Sequence, residues 1–179
     1  MIDPSLVDIF SFAQLLGLLS FILGIAAFYQ KNDKRLKILM LALNINHMFH
    51  YLLLGSTVSA LSSLLSAMRT TTAIFIRNGY IAFAFVCTSL LFGILTTDYM
   101  WQLFPIIGTA IGSYAIFMLD GIKMRCWFFI GATCWLINNL LIGSIGGVLL
   151  EITAMSVNII TIIRLYEDDR ILNKNLELK

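Results

Sequence analysis

Long apolar runs separated by short polar breaks organise this chain. Charged residues gather at 31–37, at 120–125 and after Arg164. Between them lie stretches of about 20 mostly apolar residues, the length at which a helix crosses a hydrocarbon core of about 30 Å. The pattern predicts seven membrane-spanning helices, at 5–28, 36–54, 57–76, 80–96, 101–119, 124–142 and 145–166. Asp3 is placed to cap the first, with Pro4 at its first helical position. Gly55-Ser56 separates the second span from the third, and Gly143-Ser144 the sixth from the seventh. Turns this short force antiparallel neighbours and leave no mass for a soluble catalytic domain.

Composition agrees. Charged residues make up 12% of the chain, about half the share in a soluble domain, and the mean hydropathy is +0.90. The expected fold class is an all-α integral membrane protein. A net charge of +2, dispersed along the chain, excludes nucleic acid as a partner. Cys87, Cys126 and Cys134 lack CxxC spacing and lie in or beside apolar segments, as reduced cysteines used for packing do. The first residues carry no Lys or Arg, and the apolar stretch after them is too long for a signal peptide, so the first span is predicted to be retained.

The basic residues fix an orientation. Lys31, Lys34, Arg35 and Lys37 lie in the first loop, Arg77 in the third, and Lys123 and Arg125 in the fifth; Arg164 lies at the end of the last span, with Arg170, Lys174 and Lys179 in the tail. The intervening loops hold none. Only an odd number of spans puts every basic loop on one side, which predicts an outer N-terminus and a cytoplasmic C-terminus.

The two Gly-Ser turns stand 88 positions apart (143 minus 55). The same offset, without a gap, pairs Gln14 with Gln102, Gly24 with Gly112, Ala27 with Ala115, Tyr29 with Phe117, and Arg35 and Lys37 with Lys123 and Arg125. The chain therefore reads as a first three-helix repeat at 1–78, a linker helix at 79–98, a second repeat at 99–166 and a cytoplasmic tail at 167–179. Three spans per repeat would invert the second copy. The linker span restores it, giving two parallel repeats in a 3+1+3 plan.

That plan, with its basic first and fifth loops, resembles the SWEET, PQ-loop and PnuC-type transporters. A more specific likeness lies in His50-Tyr51-Leu52-Leu53-Leu54-Gly55, Arg69, Gln14-Leu15-Leu16-Gly17 and Gln30. These residues resemble the YgjV-type family of small bacterial inner-membrane proteins. The likeness implies a multi-pass location in the bacterial inner membrane and brings no assigned activity.

An ionisable residue inside a span costs about 2.5–3.5 kcal/mol on insertion scales and calls for a reason. Span 3 carries Ser59, Ser62, Ser63, Ser66, Arg69 and Thr70 on one face, and span 7 carries Glu151, Ala154, Asn158 and Thr161 at the same spacing. The offset maps Ser63 to Glu151, Ser66 to Ala154 and Thr70 to Asn158, so the two stripes are equivalent faces expected to meet at one central polar cavity. Small and hydroxyl residues also serve close helix packing, which is the competing explanation for the serines. Glu151 lies about 12 Å along the helix from the nearest turn and is too short to reach water. Arg69 could snorkel toward an interface or face the cavity.

Span 2 presents two polar faces, Asn46 with His50, and Asn44 with His47 and Tyr51. His50 is taken as the cavity-facing residue, with Asn138 at its equivalent position, and His47 as bonded to a neighbouring helix. Histidine titrates near neutral pH, so a proton relay through His50 and Glu151 is conceivable. The candidate solute-binding set is Gln14, His50, Ser63, Ser66, Arg69, Thr70, Asn138, Glu151 and Asn158.

Two histidines three apart, with no nearby Cys or carboxylate, do not make a metal site. No phosphate loop or hydrolase motif is present, so no catalytic residue and no cofactor are predicted, and the protein is not expected to be an enzyme. The expected function is a transporter or facilitator of a small polar solute, alternating between two three-helix bundles. The competing function is a non-transporting sensor, scaffold or accessory subunit on the same fold. The expected partners are the lipid bilayer, the solute, and a second copy of the chain in a homo-oligomer.

Overall fold

A computed structural model describes residues 12–177, all of whose regular structure is helical. The helices are α1 (Phe12–Phe28), α2 (Asp33–Leu53), α3 (Thr57–Phe75), α4 (Gly79–Thr96), α5 (Leu103–Met118, after a 3-10 turn at Met100–Gln102), α6 (Gly121–Leu141) and α7 (Ile145–Glu177). The proposed cap at Asp3 and Pro4 lies outside the described residues. Four stretches are long and apolar enough to cross a membrane: Asp33–Leu53, Gly79–Thr96, Met100–Met118 and Ile145–Lys174. α1 is apolar with 17 described residues. α3 and α6 are long enough, at 19 and 21 residues, but more polar. Ser59, Ser62, Ser63, Ser66, Arg69 and Thr70 of α3, and Arg125, Asn138 and Asn139 of α6, are buried. The chain is an all-α membrane protein.

Two boundaries differ from expectation. α6 begins at Gly121, so Lys123 and Arg125 occupy its first two turns and not a loop. The reason is Asp33, whose carboxylate accepts from the Gly121 amide at 3.0 Å and from Arg125 Nη1 at 2.8 Å. α7 does not stop at 166 but continues through the predicted tail to Glu177. No Gly or Pro interrupts it there, and Asp168 is held by Lys31 Nζ at 2.5 Å.

The helices close into a ring. α1 packs between α2 and α7, α2 against α3, α3 against α5, α5 against α6, and α6 against α7. α4 lies outside the ring on α5 and touches α3 less. Only Ala82, Ser89 and Gly93 are fully buried in it, and Phe85 stacks half-buried on Phe117, while Phe83, Leu90, Leu91, Ile94 and Leu95 are exposed, as a face toward lipid should be.

The α2–α3 and α6–α7 turns have one geometry. Gly55 and Gly143 take φ of 72° and 69°, the left-handed region where a side chain is strained. Gly55 N–H donates to Leu52 O and Ser56 N–H to Tyr51 O, at 3.1 and 3.0 Å; Gly143 and Ser144 make the matching bonds to Leu140 and Asn139. Both are Schellman closures that satisfy the last carbonyls of a helix.

Candidate functional site

The ring helices line a partly open cavity of about 70 Å3. All six ring helices contribute to its wall and α4 does not. α3 supplies Ser63, Ser66 and Arg69; α7 supplies Glu151, Ala154 and Leu150; α2 supplies Asn44 and His47. Gly108 and Gly112 of α5 and Gly131 of α6 keep the opposite wall thin, with Trp135 beside them. The space suits a few water molecules, so a larger solute enters only if helices move.

The charged groups of this wall are not paired with each other. Arg69 is buried, donates from Nη1 to the Thr109 carbonyl at 3.2 Å, and has no protein partner at Nε. Its guanidinium lies where a side chain on Gly112 would sit. Glu151 makes no ion pair with any described residue; the three ion pairs found, Lys31–Asp168, Arg77–Asp120 and Arg125–Asp33, all lie elsewhere. His47 Nε2 likewise lacks a protein partner. Ser66 and Thr109 hydroxyls stand 3.4 Å apart, and Asn44 Nδ2 donates to Thr70 Oγ1 at 3.3 Å, tying α2 and α5 to α3 around the cavity.

Two seals bound the cavity. At the turn end, Tyr51 Oη donates to Asn139 Oδ1 at 2.8 Å, Ser59 Oγ to Asn138 Oδ1 at 3.2 Å, and Gln14 Nε2 approaches the Gly143 carbonyl at 3.5 Å. The α1–α7 crossing is tight there, because a side chain on Gly146 would collide with the Gly17 backbone. At the basic end, Arg125 is fully buried although charged. Beyond Asp33 it donates to the carbonyls of Gly121 at 3.0 Å, Gln30 at 2.8 Å and Lys31 at 3.3 Å. Asn158 Nδ2 donates to Arg125 O at 2.7 Å, and Thr161 Oγ1 to Phe28 O at 2.9 Å. Between this seal and the cavity lies an apolar layer that includes Leu36, Met40, Phe117, Met124 and Phe128.

Four of the nine candidate residues, Ser63, Ser66, Arg69 and Glu151, therefore meet at the cavity. Gln14, His50 and Asn138 belong to the turn-end seal, Asn158 to the basic-end seal, and Thr70 stands behind Asn44. The facing of the two histidines is the reverse of expectation. His50 Nδ1 lies 2.6 Å from the Ala13 carbonyl, which only accepts, so that nitrogen carries the proton; Nε2 meets Ser144 Oγ at 2.7 Å. With both nitrogens engaged, His50 is a structural clasp, and His47 is the cavity histidine. The face of α2 that meets the cavity is the one carrying Asn44 and His47, not the one carrying Asn46 and His50. Trp135 is a further wall residue, marked in the sequence by its place as the equivalent of His47 at the 88 offset. Among the described residues no group of three His, Cys, Asp or Glu could hold a metal ion.

Comparison with known proteins places the chain. It is 30% identical over 154 residues to the inner membrane protein YgjV of Escherichia coli (strain K12), covering 86% of this chain and 84% of that one. No solved structure matches significantly. The Imp-YgjV family, described as a bacterial inner membrane protein, matches residues 11–169. The chain, with its ring of inward-polar helices, belongs to this YgjV family and is a protein of the bacterial inner membrane.

Proposed function

We propose that the protein moves a small polar solute across the inner membrane by alternating access between two parallel three-helix bundles, α1–α3 and α5–α7, joined by α4. The observation that carries this reading is that Arg69 and Glu151 line one cavity among the six ring helices without pairing with each other. An unpaired ionisable side chain inside a membrane bundle is costly and points by default to a solute or ion path. The repeat is supported by the wall itself. Six pairs of lining residues stand at the 88 offset: Met40 and Phe128, Leu43 and Gly131, Asn44 and Ala132, His47 and Trp135, Ser63 and Glu151, Ser66 and Ala154. The ring contacts also map onto themselves when α1, α2 and α3 are exchanged for α5, α6 and α7. The plan is SWEET-like in this respect.

The cycle needs a seal at each end. Breaking the Tyr51–Asn139 and His50–Ser144 bonds opens the turn end; breaking the Asp33–Arg125 bond opens the basic end. Seven crossings put the basic end in the cytoplasm and the N-terminus outside. Proteoliposome uptake over a panel of small polar solutes tests the function, with Glu151→Gln as the control. A solute whose entry is lost in the variant supports it. No solute-dependent flux from monodisperse, folded protein refutes it.

One observation favours the second reading, a sensor, scaffold or accessory subunit. The α7 extension is exposed from Glu167 to Lys174 and carries Glu167-Asp168-Asp169-Arg170, a surface a protein partner could use. A stoichiometric co-purifying partner, without flux, would favour it.

A further inference from the structure

We infer that the solute taken by this cavity is a small zwitterion of the amino-acid type, its carboxylate on Arg69 and its ammonium on Glu151; this rests on the solute-carrying reading above. The two side chains come from α3 and α7 and border one space. Arg69 spends one Nη on Thr109 O and leaves Nε without a protein partner, so its planar fork retains donors for a carboxylate. Gly112 carries no side chain where that fork lies. Glu151 has no ion-pair partner. Elsewhere the chain joins opposite charges directly, as in Arg125–Asp33 at 2.8 Å. Here it holds them apart across a gap.

Charge balance selects the class. An ammonium held against Glu151 favours the ionised carboxyl, and the Arg69 and Glu151 charges then cancel as a pair. A simple anion would leave the occupied site negative and a simple cation would leave it positive, and an uncompensated buried charge costs several kcal/mol. A neutral polyol would leave both charges unpaired. A molecule with both charges pairs each one and keeps the sum at zero. The volume of about 70 Å3 favours the smallest members of the class.

The test is glycine binding to the purified full-length protein in lipid nanodiscs, read by radiolabelled glycine and by thermal shift. Acetate and methylammonium, each carrying one half of glycine, and glucose are the comparators. Glycine is expected to bind and raise the melting midpoint, with acetate and methylammonium at least about ten-fold weaker. Glu151→Gln and Arg69→Gln are each expected to weaken glycine binding by about ten-fold or more. Where either variant fails to fold, Gly112→Ala, which crowds the guanidinium alone, is expected to weaken it in the same sense. Acetate binding as tightly as glycine and sensitive only to Arg69 would overturn the inference in favour of an anion site. Glycine binding unchanged in the variants would overturn it too. Transport of a neutral solute without glycine binding would sink this inference and leave the transport function standing; neither binding nor transport of any solute would remove both.

Discussion

Tyr51 donates its hydroxyl hydrogen to Asn139 Oδ1 at 2.8 Å, and the two residues are 88 positions apart, the spacing of the two Gly-Ser turns. Each stands at the same place in its helix, four residues before the left-handed glycine, and each is fully buried. The bond joins α2 to α6 across the ring at the turn end. Tyr51 also stacks on Trp135 at 5.7 Å, so the clasp and the cavity wall share a ring system.

Tyr51→Phe removes the donor and leaves Asn139 Oδ1 buried without it. The expected loss is about 1–3 kcal/mol, measured by unfolding in mixed micelles. The double variant Tyr51→Phe with Asn139→Leu is expected to lose less than the sum of the single changes, since neither partner is then orphaned. An unchanged stability in the single variant would show that the bond is not made.

Gly55→Ala and Gly143→Ala test the matched turns. A Cβ at either position meets nothing within 4 Å, so the effect is one of backbone strain alone. Each change is expected to cost about 1–2 kcal/mol, and the two costs should agree within error. A large disparity would argue that the closures differ.

The histidines should separate by readout. His50→Leu removes the side-chain donor to the Ala13 carbonyl and the acceptor of the buried Ser144 hydroxyl hydrogen, so a loss of about 1–3 kcal/mol in stability is expected. His47→Gln, at the cavity wall, should change solute uptake while the protein stays folded and monodisperse. The opposite assignment of effects would restore His50 as the cavity residue.

At the basic end, Asp33→Asn leaves the buried Arg125 guanidinium without its counter-charge. Removing one partner of a buried pair costs about 3–5 kcal/mol; Asp33 is partly exposed and Arg125 keeps three carbonyl acceptors, so about 3 kcal/mol is expected. Lys31→Ala, which breaks the exposed pair with Asp168, should change stability by no more than about 1 kcal/mol. Both are checked by melting in detergent; equal effects would contradict the burial of Arg125.

Much of the fold is legible in the sequence because burial in lipid demands it. Apolar runs of helix length, broken by Gly-Ser turns and basic clusters, place the helices to within a few residues, apart from the C-terminal end of α7, which runs on to Glu177. The shared stripe of Ser63, Ser66 and Arg69 likewise marks the cavity face of α3, since three- and four-residue spacing fixes which side chains share a side. Glu151 is found by the cost of a carboxylate at membrane depth.

Facing on α2 was not legible. Asn46 with His50, and Asn44 with His47, are polar faces of similar size on one helix, and periodicity cannot say which one meets a neighbour. That depends on the rotation of α2 in the ring, set by the approach of α1, whose Ala13 carbonyl captures His50, and of the turn leading into α7, where Ser144 holds its other nitrogen. The same holds for Arg125, which reads as a loop cation until Asp33 is brought beside it from 92 positions away. Sequence by itself determines which segments become helices and which faces are polar, because those follow from local periodicity and the need to satisfy backbone groups in lipid. Only the tertiary structure decides which polar groups meet, because a hydrogen bond forms over about 3 Å and the helix rotations that set such distances arise from packing among all six ring helices.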